Sequence, residues 1–117
     1  MSDGAVTLAY TEWTIAELDG QPVEITADEL APSLVLDLEE AHVTGSGGVN
    51  RLTGHFALSG DELRFGPIAT TRMAGPENAM RREAAFLAAL ERVTSYALDG
   101  RTLTLLADDE VVVKLSC

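Results

Sequence analysis

Carboxylates supply most of the chemistry this chain could do. Acidic side chains adjoin at Asp28-Glu29, Glu39-Glu40, Asp61-Glu62 and Asp108-Asp109-Glu110. General acid–base catalysis needs two carboxyl groups whose environments separate their pKa values. These pairs fall at turn signals, where solvent keeps them alike, so they read as turn residues. Asp108-Asp109-Glu110 offers oxygens to calcium, yet no glycine-containing twelve-residue ligand loop surrounds it. His42 and His55 lie in separate strand-like segments without HxxxH or HExxH spacing, and read as strand-surface or half-buried. Gly45-Ser46-Gly47 is too short for a Gly-x-Ser-x-Gly elbow, and no glycine-rich loop runs into Lys-Ser or Lys-Thr. Cys117, the single cysteine, has no oriented base near it in sequence and reads as an incidental thiol. The expectation is therefore no catalytic set, no metal and no cofactor.

The chain that must position these residues has 117 of them, enough for one domain spanning 1–117 with one ordinary core. Hydrophobic residues make up 46%, which excludes a disordered tail. Eight Lys and Arg against 19 Asp and Glu leave a formal charge of -11. Nucleic acid and anionic membrane surfaces both need clustered cations, so neither is an expected partner. All eight bases lie from Arg51 onward, while ten of the acids precede it. That half reads first as a solvated acidic surface. A docking face for a basic partner and salt tolerance, favoured by the single Lys114, stay open. No apolar run approaches the ~20 residues of a membrane helix, so no membrane insertion is expected. The first residues lack the basic and apolar regions of a signal peptide, so a cytoplasmic location is expected. The alternative is a cell-envelope protein whose leader has been removed.

Most of the chain alternates with the period of a strand. Val6, Leu8 and Tyr10 alternate, then Trp13 and Ile15, with Trp13 read as core. Val23 and Ile25 follow an Asp19-Gly20 turn, and Leu34, Leu36 and Leu38 alternate. Phe56 and Leu58 lead into Ser59-Gly60-Asp61 and return through Leu63 and Phe65. Tyr96 and Leu98 reach Asp99-Gly100; Leu103 and Leu105 come back, and Asp108-Asp109 turns the chain into Val111, Val113 and Leu115. These last three strands are expected to form an antiparallel meander. Residues 76–93 break the pattern. Pro76 suits the first helical position with Gly75 as cap, and Glu77 complements the helix N-terminus. Ala79, Glu83, Phe86, Leu87, Leu90 and Val93 share one face. The predicted architecture is α+β: a curved antiparallel sheet, a cracked β-barrel or half-barrel, packed around one amphipathic helix.

Glu83 is the odd residue on that apolar face. A carboxylate there is costly unless it finds donors. Arg72 and amides of the loop before Pro76 are the expected donors.

Two segments carry a resemblance. Gly48-Val49-Asn50-Arg51-Leu52-Thr53-Gly54 and Ile68-Ala69-Thr70-Thr71-Arg72-Met73-Ala74-Gly75-Pro76 resemble the two signatures of the META domain, or HslJ-like, family. Trp13 with Asp19-Gly20 is similar to the family's first strand and turn, and Met80 to Leu90 is similar to its helix. Many members carry Cys at the positions of Val49 and Gly75, where a disulfide could bridge the two loops. Both thiols are missing here, which fits a reducing compartment. The resemblance implies a cracked β-barrel with a helix, similar to some secretion pilot proteins that hold an apolar ligand. It implies a small bacterial protein, often of the cell envelope, associated with heat shock, drug tolerance, motility or virulence, and no established reaction.

Asn50, Thr71, Arg72 and Glu83 form the candidate cluster, Asn50 and Arg72 from the signatures. Its first reading is structural, with Asn50 fixing a turn and Glu83 satisfied by loop donors. The functional reading is a ligand pocket at the helix's N-terminal side. The expected function is a non-catalytic, stress- or envelope-related domain that binds an unidentified protein or small apolar ligand, as a monomer or weak homodimer. The alternatives are a small hydrolase or isomerase using His42 or His55 with a carboxylate, and an interaction module dimerising through a sheet edge.

Overall fold

A computed structural model describes residues 8–26 and 29–117. Val6 of the first alternating run and Asp28 of the first acidic pair lie outside the described residues. Among the described residues, nine strands and one helix follow in the order β1 (Trp13–Leu18), β2 (Gln21–Pro22), β3 (Ser33–Asp37), β4 (His42–Ser46), β5 (Arg51–Ser59), β6 (Glu62–Thr70), α1 (Glu77–Arg92), β7 (Ser95–Asp99), β8 (Thr102–Ala107) and β9 (Glu110–Ser116). All pairings are antiparallel. The sheet runs β2-β1-β3-β4-β5-β6-β7-β8-β9, and β1 also pairs with β9, so the sheet curves into a ring. The ring is incomplete. β6 and β7 share one register pair, Glu62 with Ser95, where β5 and β6 share seven. The architecture is α+β, as expected, rather than a clean barrel.

Turn chemistry sets the hairpins. Asp19 and Gly20 have φ of 51° and 82°, and Asp108 and Asp109 have 51° and 72°. Both pairs take the doubly left-handed loop that matches strand twist, which Asp and Gly tolerate. Gly60 and Gly100 open the β5–β6 and β7–β8 turns at φ 61° and 62°. The β7-β8-β9 meander forms as its alternation predicts.

Inside the ring, inward residues of β1, β3, β4, β5, β8 and β9, with Leu63 of β6, form one core with the apolar face of α1. Trp13, Leu34, Leu36, Val43, Leu63, Leu103, Leu105, Val113 and Leu115 surround Phe86, Ala89 and Leu90 with almost no exposure. Trp13 is core, and its indole N–H donates to the Leu8 carbonyl at 2.9 Å.

Five expectations are corrected. Leu8 to Tyr10 is no strand: Leu8 and Ala9 are both buried, and Tyr10, at φ 62° and 60% exposed, turns outward to donate its hydroxyl to Asp37. The strand expected through Val23 and Ile25 ends at Pro22, and one further bond, from the Val23 N–H to the Ala16 carbonyl at 2.9 Å, follows it. Leu38 leaves the alternation of β3 and is half exposed in the turn to β4. Pro76 caps the helix from outside, at ψ 146°, so Glu77 and not Pro76 is the first helical residue. On the helix face Ala89, which the expected set omits, is buried, and Leu87 is half-buried.

Candidate functional site

The turn between β4 and β5 begins the candidate cluster. Ser46 closes on Arg51, and the intervening residues are tied by a Gly47 N–H to Asn50 carbonyl bond at 2.9 Å. This bend aims the Val49 and Asn50 amides at α1, where both donate to Glu83 Oε2. The Asn50 side-chain amide donates to Glu83 Oε1 at 2.8 Å. All three partners of Glu83 are N–H donors, which suits an acceptor-only carboxylate. Asn50 also reaches the segment after β6. Its Oδ1 accepts from the Thr71 hydroxyl at 2.9 Å and the Met73 N–H at 2.6 Å, and its Nδ2 donates to the Met73 carbonyl at 3.3 Å. Asn50 and Glu83 are each 5% exposed. One asparagine thus joins three pieces of chain with its full hydrogen-bonding capacity.

Asn50, Thr71 and Glu83 come together as expected; Arg72 does not. It is exposed and makes no hydrogen bond or ion pair among the described residues. Glu83's donors come from the β4–β5 turn, not from Arg72 or the loop before Pro76. The physical reason is proximity: a Cβ on Gly47 would lie 2.4 Å from Glu83 Cγ, so a glycine there lets the turn's backbone reach the carboxylate directly. The two positions that resemble family thiols also meet. An ideal Cβ on Gly75 lies 3.6 Å from the Val49 Cβ. A cavity of about 250 Å³ adjoins them at the helix's N-terminal side, lined by Glu29, Leu30, Gly48, Val49, Gly75, Pro76 and Ala79. Beside it, the Glu29 carboxyl is held below its ordinary value of 4.5 by the Thr26 backbone N–H, the Thr26 side chain and the Arg82 cation.

A larger cavity, about 590 Å³, opens on β4, β5 and β6. Its exposed residues include Thr44, Thr53 and Ala69, which share one cross-strand row, with Arg51 and Thr71 at the end of the strands. Gly45, Leu52 and Thr70 complete the wall. Gly45 is required: a Cβ there would clash with the Ser33 carbonyl, and glycine marks such a bend in a closing sheet. Thr71 belongs to both features, lining the cavity while its hydroxyl accepts the Arg51 N–H and donates to Asn50. The residues alone gave no sign of this cavity, because it forms from three strands in register. A second juxtaposition was legible. A hairpin that closes Ser46 on Arg51 must place His42 against His55, and β4 and β5 do so.

The acidic residues Glu39, Glu40, Asp61, Glu62, Asp108, Asp109 and Glu110 are exposed at turns. Among the described residues neither histidine hydrogen-bonds a carboxylate; His42 Nε2 meets the Thr53 hydroxyl at 2.7 Å. Cys117 is exposed and free. Among the described residues no three His, Cys, Asp or Glu side chains converge on a metal position, and no helix is long and apolar enough to cross a membrane.

Comparison with known proteins places this geometry. The family model of the META domain matches residues 6–116. An NMR structure of a protein from Burkholderia xenovorans superimposes with a TM-score of 0.73 at 25% identity, covering 93% of this chain and 82% of that one. A second NMR structure gives 0.69 at 24% identity, over 93% and 91%. The crystal structure of a DUF4847 family protein from Bacteroides vulgatus ATCC 8482 gives 0.63 at 14% identity, over 93% of both chains. No curated protein matches the chain.

Proposed function

Since the chain belongs to the META domain family, we propose that it acts by binding rather than by catalysis, and that the groove on β4, β5 and β6 takes a small ligand with an apolar body and a hydrogen-bond-accepting end. The observation that carries this is the 590 Å³ groove itself. Its volume lies within the usual range of small-molecule sites, about 300–1,000 Å³. Ala69 and the threonine methyls supply apolar surface, and the hydroxyls and Arg51 supply donors. Arg51 is the single titratable residue among the lining residues, and a guanidinium cannot serve as a general base at neutral pH. That favours binding over the hydrolase or isomerase reading. We place this role in the stress-related setting that the family suggests. The cytoplasm is the compartment we propose, because Val49 and Gly75 stand where an oxidised pair would sit.

Decanoate and decanol are suitable probes, followed by amide chemical shifts of the full chain. Shifts gathered at Thr44, Thr53, Ala69 and Thr71, and weakened for decanoate by Arg51→Ala, are the expected result. Shifts confined to the smaller cavity around Gly48 and Gly75, or none with either probe at millimolar concentration, would overturn the groove assignment.

A further inference from the structure

We propose that His42 and His55 form a two-imidazole binding site for a borderline divalent transition ion, with Zn²⁺ and Ni²⁺ as the chemistry of choice. The two residues lie directly opposite each other on β4 and β5. The Phe56 N–H donates to the Ala41 carbonyl at 3.0 Å, one residue beyond the pair on each strand. A ladder bond in that place makes 42–55 a non-hydrogen-bonded pair, the kind whose side chains stand closest. Both side chains leave the same face, with ring centroids 5.3 Å apart and planes inclined by 51°.

That separation fits a shared ion. With zinc–nitrogen bonds of about 2.0–2.1 Å, each ring centroid lies about 3.2 Å from the metal, so two imidazoles at a tetrahedral angle sit about 5.2 Å apart. The His42 Nε2 contact to the Thr53 hydroxyl, at 2.7 Å, supplies the outer support such a ligand needs. When Nε2 carries the proton, Thr53 accepts it, the ring orientation is fixed, and the other nitrogen keeps its lone pair for the ion. Asp37 stands across from His42 on β3, in the same row, with its Oδ1 held by the Tyr10 hydroxyl and the Glu39 N–H. No third side chain among the described residues completes the set, so water fills the remaining positions. Imidazole selects zinc, nickel or copper over magnesium and calcium, which take oxygen ligands. The site adjoins the groove and shares Thr53 with it, as the support of His42 and not as a ligand of the ion.

Calorimetric titration of chelator-treated full chain with ZnCl₂, repeated with NiCl₂ and MgCl₂, tests the site. Wild type is expected to bind one Zn²⁺ or Ni²⁺ and not Mg²⁺. Loss of one of two linked ligands should weaken binding by about tenfold or more, so His55→Gln and His42→Gln should each do so. Cys117→Ser should leave it unchanged. His55 is exposed, so its variant keeps the fold, which circular dichroism verifies; it decides the matter if His42→Gln unfolds. Retention of wild-type affinity by His55→Gln, its loss in Cys117→Ser, or no binding of either ion at ~1 mM would each overturn the proposal.

Discussion

Glu83 faces inward by the period of α1 and is satisfied there by a turn distant in sequence. On the helix it occupies a core position, and in the fold it stays polar because three N–H groups of one turn converge on it. Glu83→Leu leaves those donors buried without an acceptor. At about 1–3 kcal/mol per unsatisfied group, a net loss of about 3–5 kcal/mol is expected by urea denaturation. Glu83→Gln retains one acceptor oxygen and should cost clearly less. A stabilised Glu83→Leu would instead mean that the carboxylate is held for a ligand at the expense of stability. Glu29 gives a pH prediction. Its pKa is lowered in the folded state, so its stabilisation is present above its ordinary value of 4.5 and is lost as pH falls through the lower folded value. Glu29→Gln should therefore lower the melting temperature at neutral pH and have little effect near pH 3.

At the scale of elements, the fold is held by turns that bring distant segments into register. The β4–β5 turn and the loop before α1 touch at Val49 and Gly75. Their Cβ separation, 3.6 Å, lies within the disulfide range of about 3.5–4.5 Å. The double variant Val49→Cys, Gly75→Cys should oxidise spontaneously and gain about 3 kcal/mol over its reduced form. A melting temperature indifferent to dithiothreitol would show that the two loops are not held at this distance. Turn chemistry offers a second test. Asp19-Gly20 and Asp108-Asp109 adopt the same doubly left-handed form, but Asp109 lacks glycine's freedom there. Asp109→Gly should stabilise by up to about 1 kcal/mol, read as a raised urea midpoint at unchanged slope.

For the whole molecule, the weak point is the seam between β6 and β7. Among the described residues their single register pair leaves most of β6 without a strand partner on that edge, while α1 packs nearby. Hydrogen exchange should be fastest along this seam and slowest in β8 and β9, whose amides are paired through the meander. Uniform protection around the ring would contradict the open-seam description. An edge of this kind is also where the sheet-edge dimer reading would act, so a concentration-dependent slowing of exchange confined to β6 and β7 would favour that reading over the groove.

The sequence alone determined the repeating features: alternation for the strands, period 3.6 for α1, Asp and Gly for the hairpins. These are local, and each residue states its preference whatever lies across from it. The core position of Trp13 and the inward face of Glu83 follow from the same periodicity. The register pairing His42 with His55 was within reach, since one hairpin fixes it. Tertiary structure decided the rest. Which donors satisfy Glu83 depends on a turn more than thirty residues away in sequence, not on Arg72 eleven residues before it. The groove exists only because β4, β5 and β6 lie side by side in register, and the seam only because β6 and β7 diverge after one pair. Contacts of that kind are set by how the ring closes, a property that no window of sequence contains.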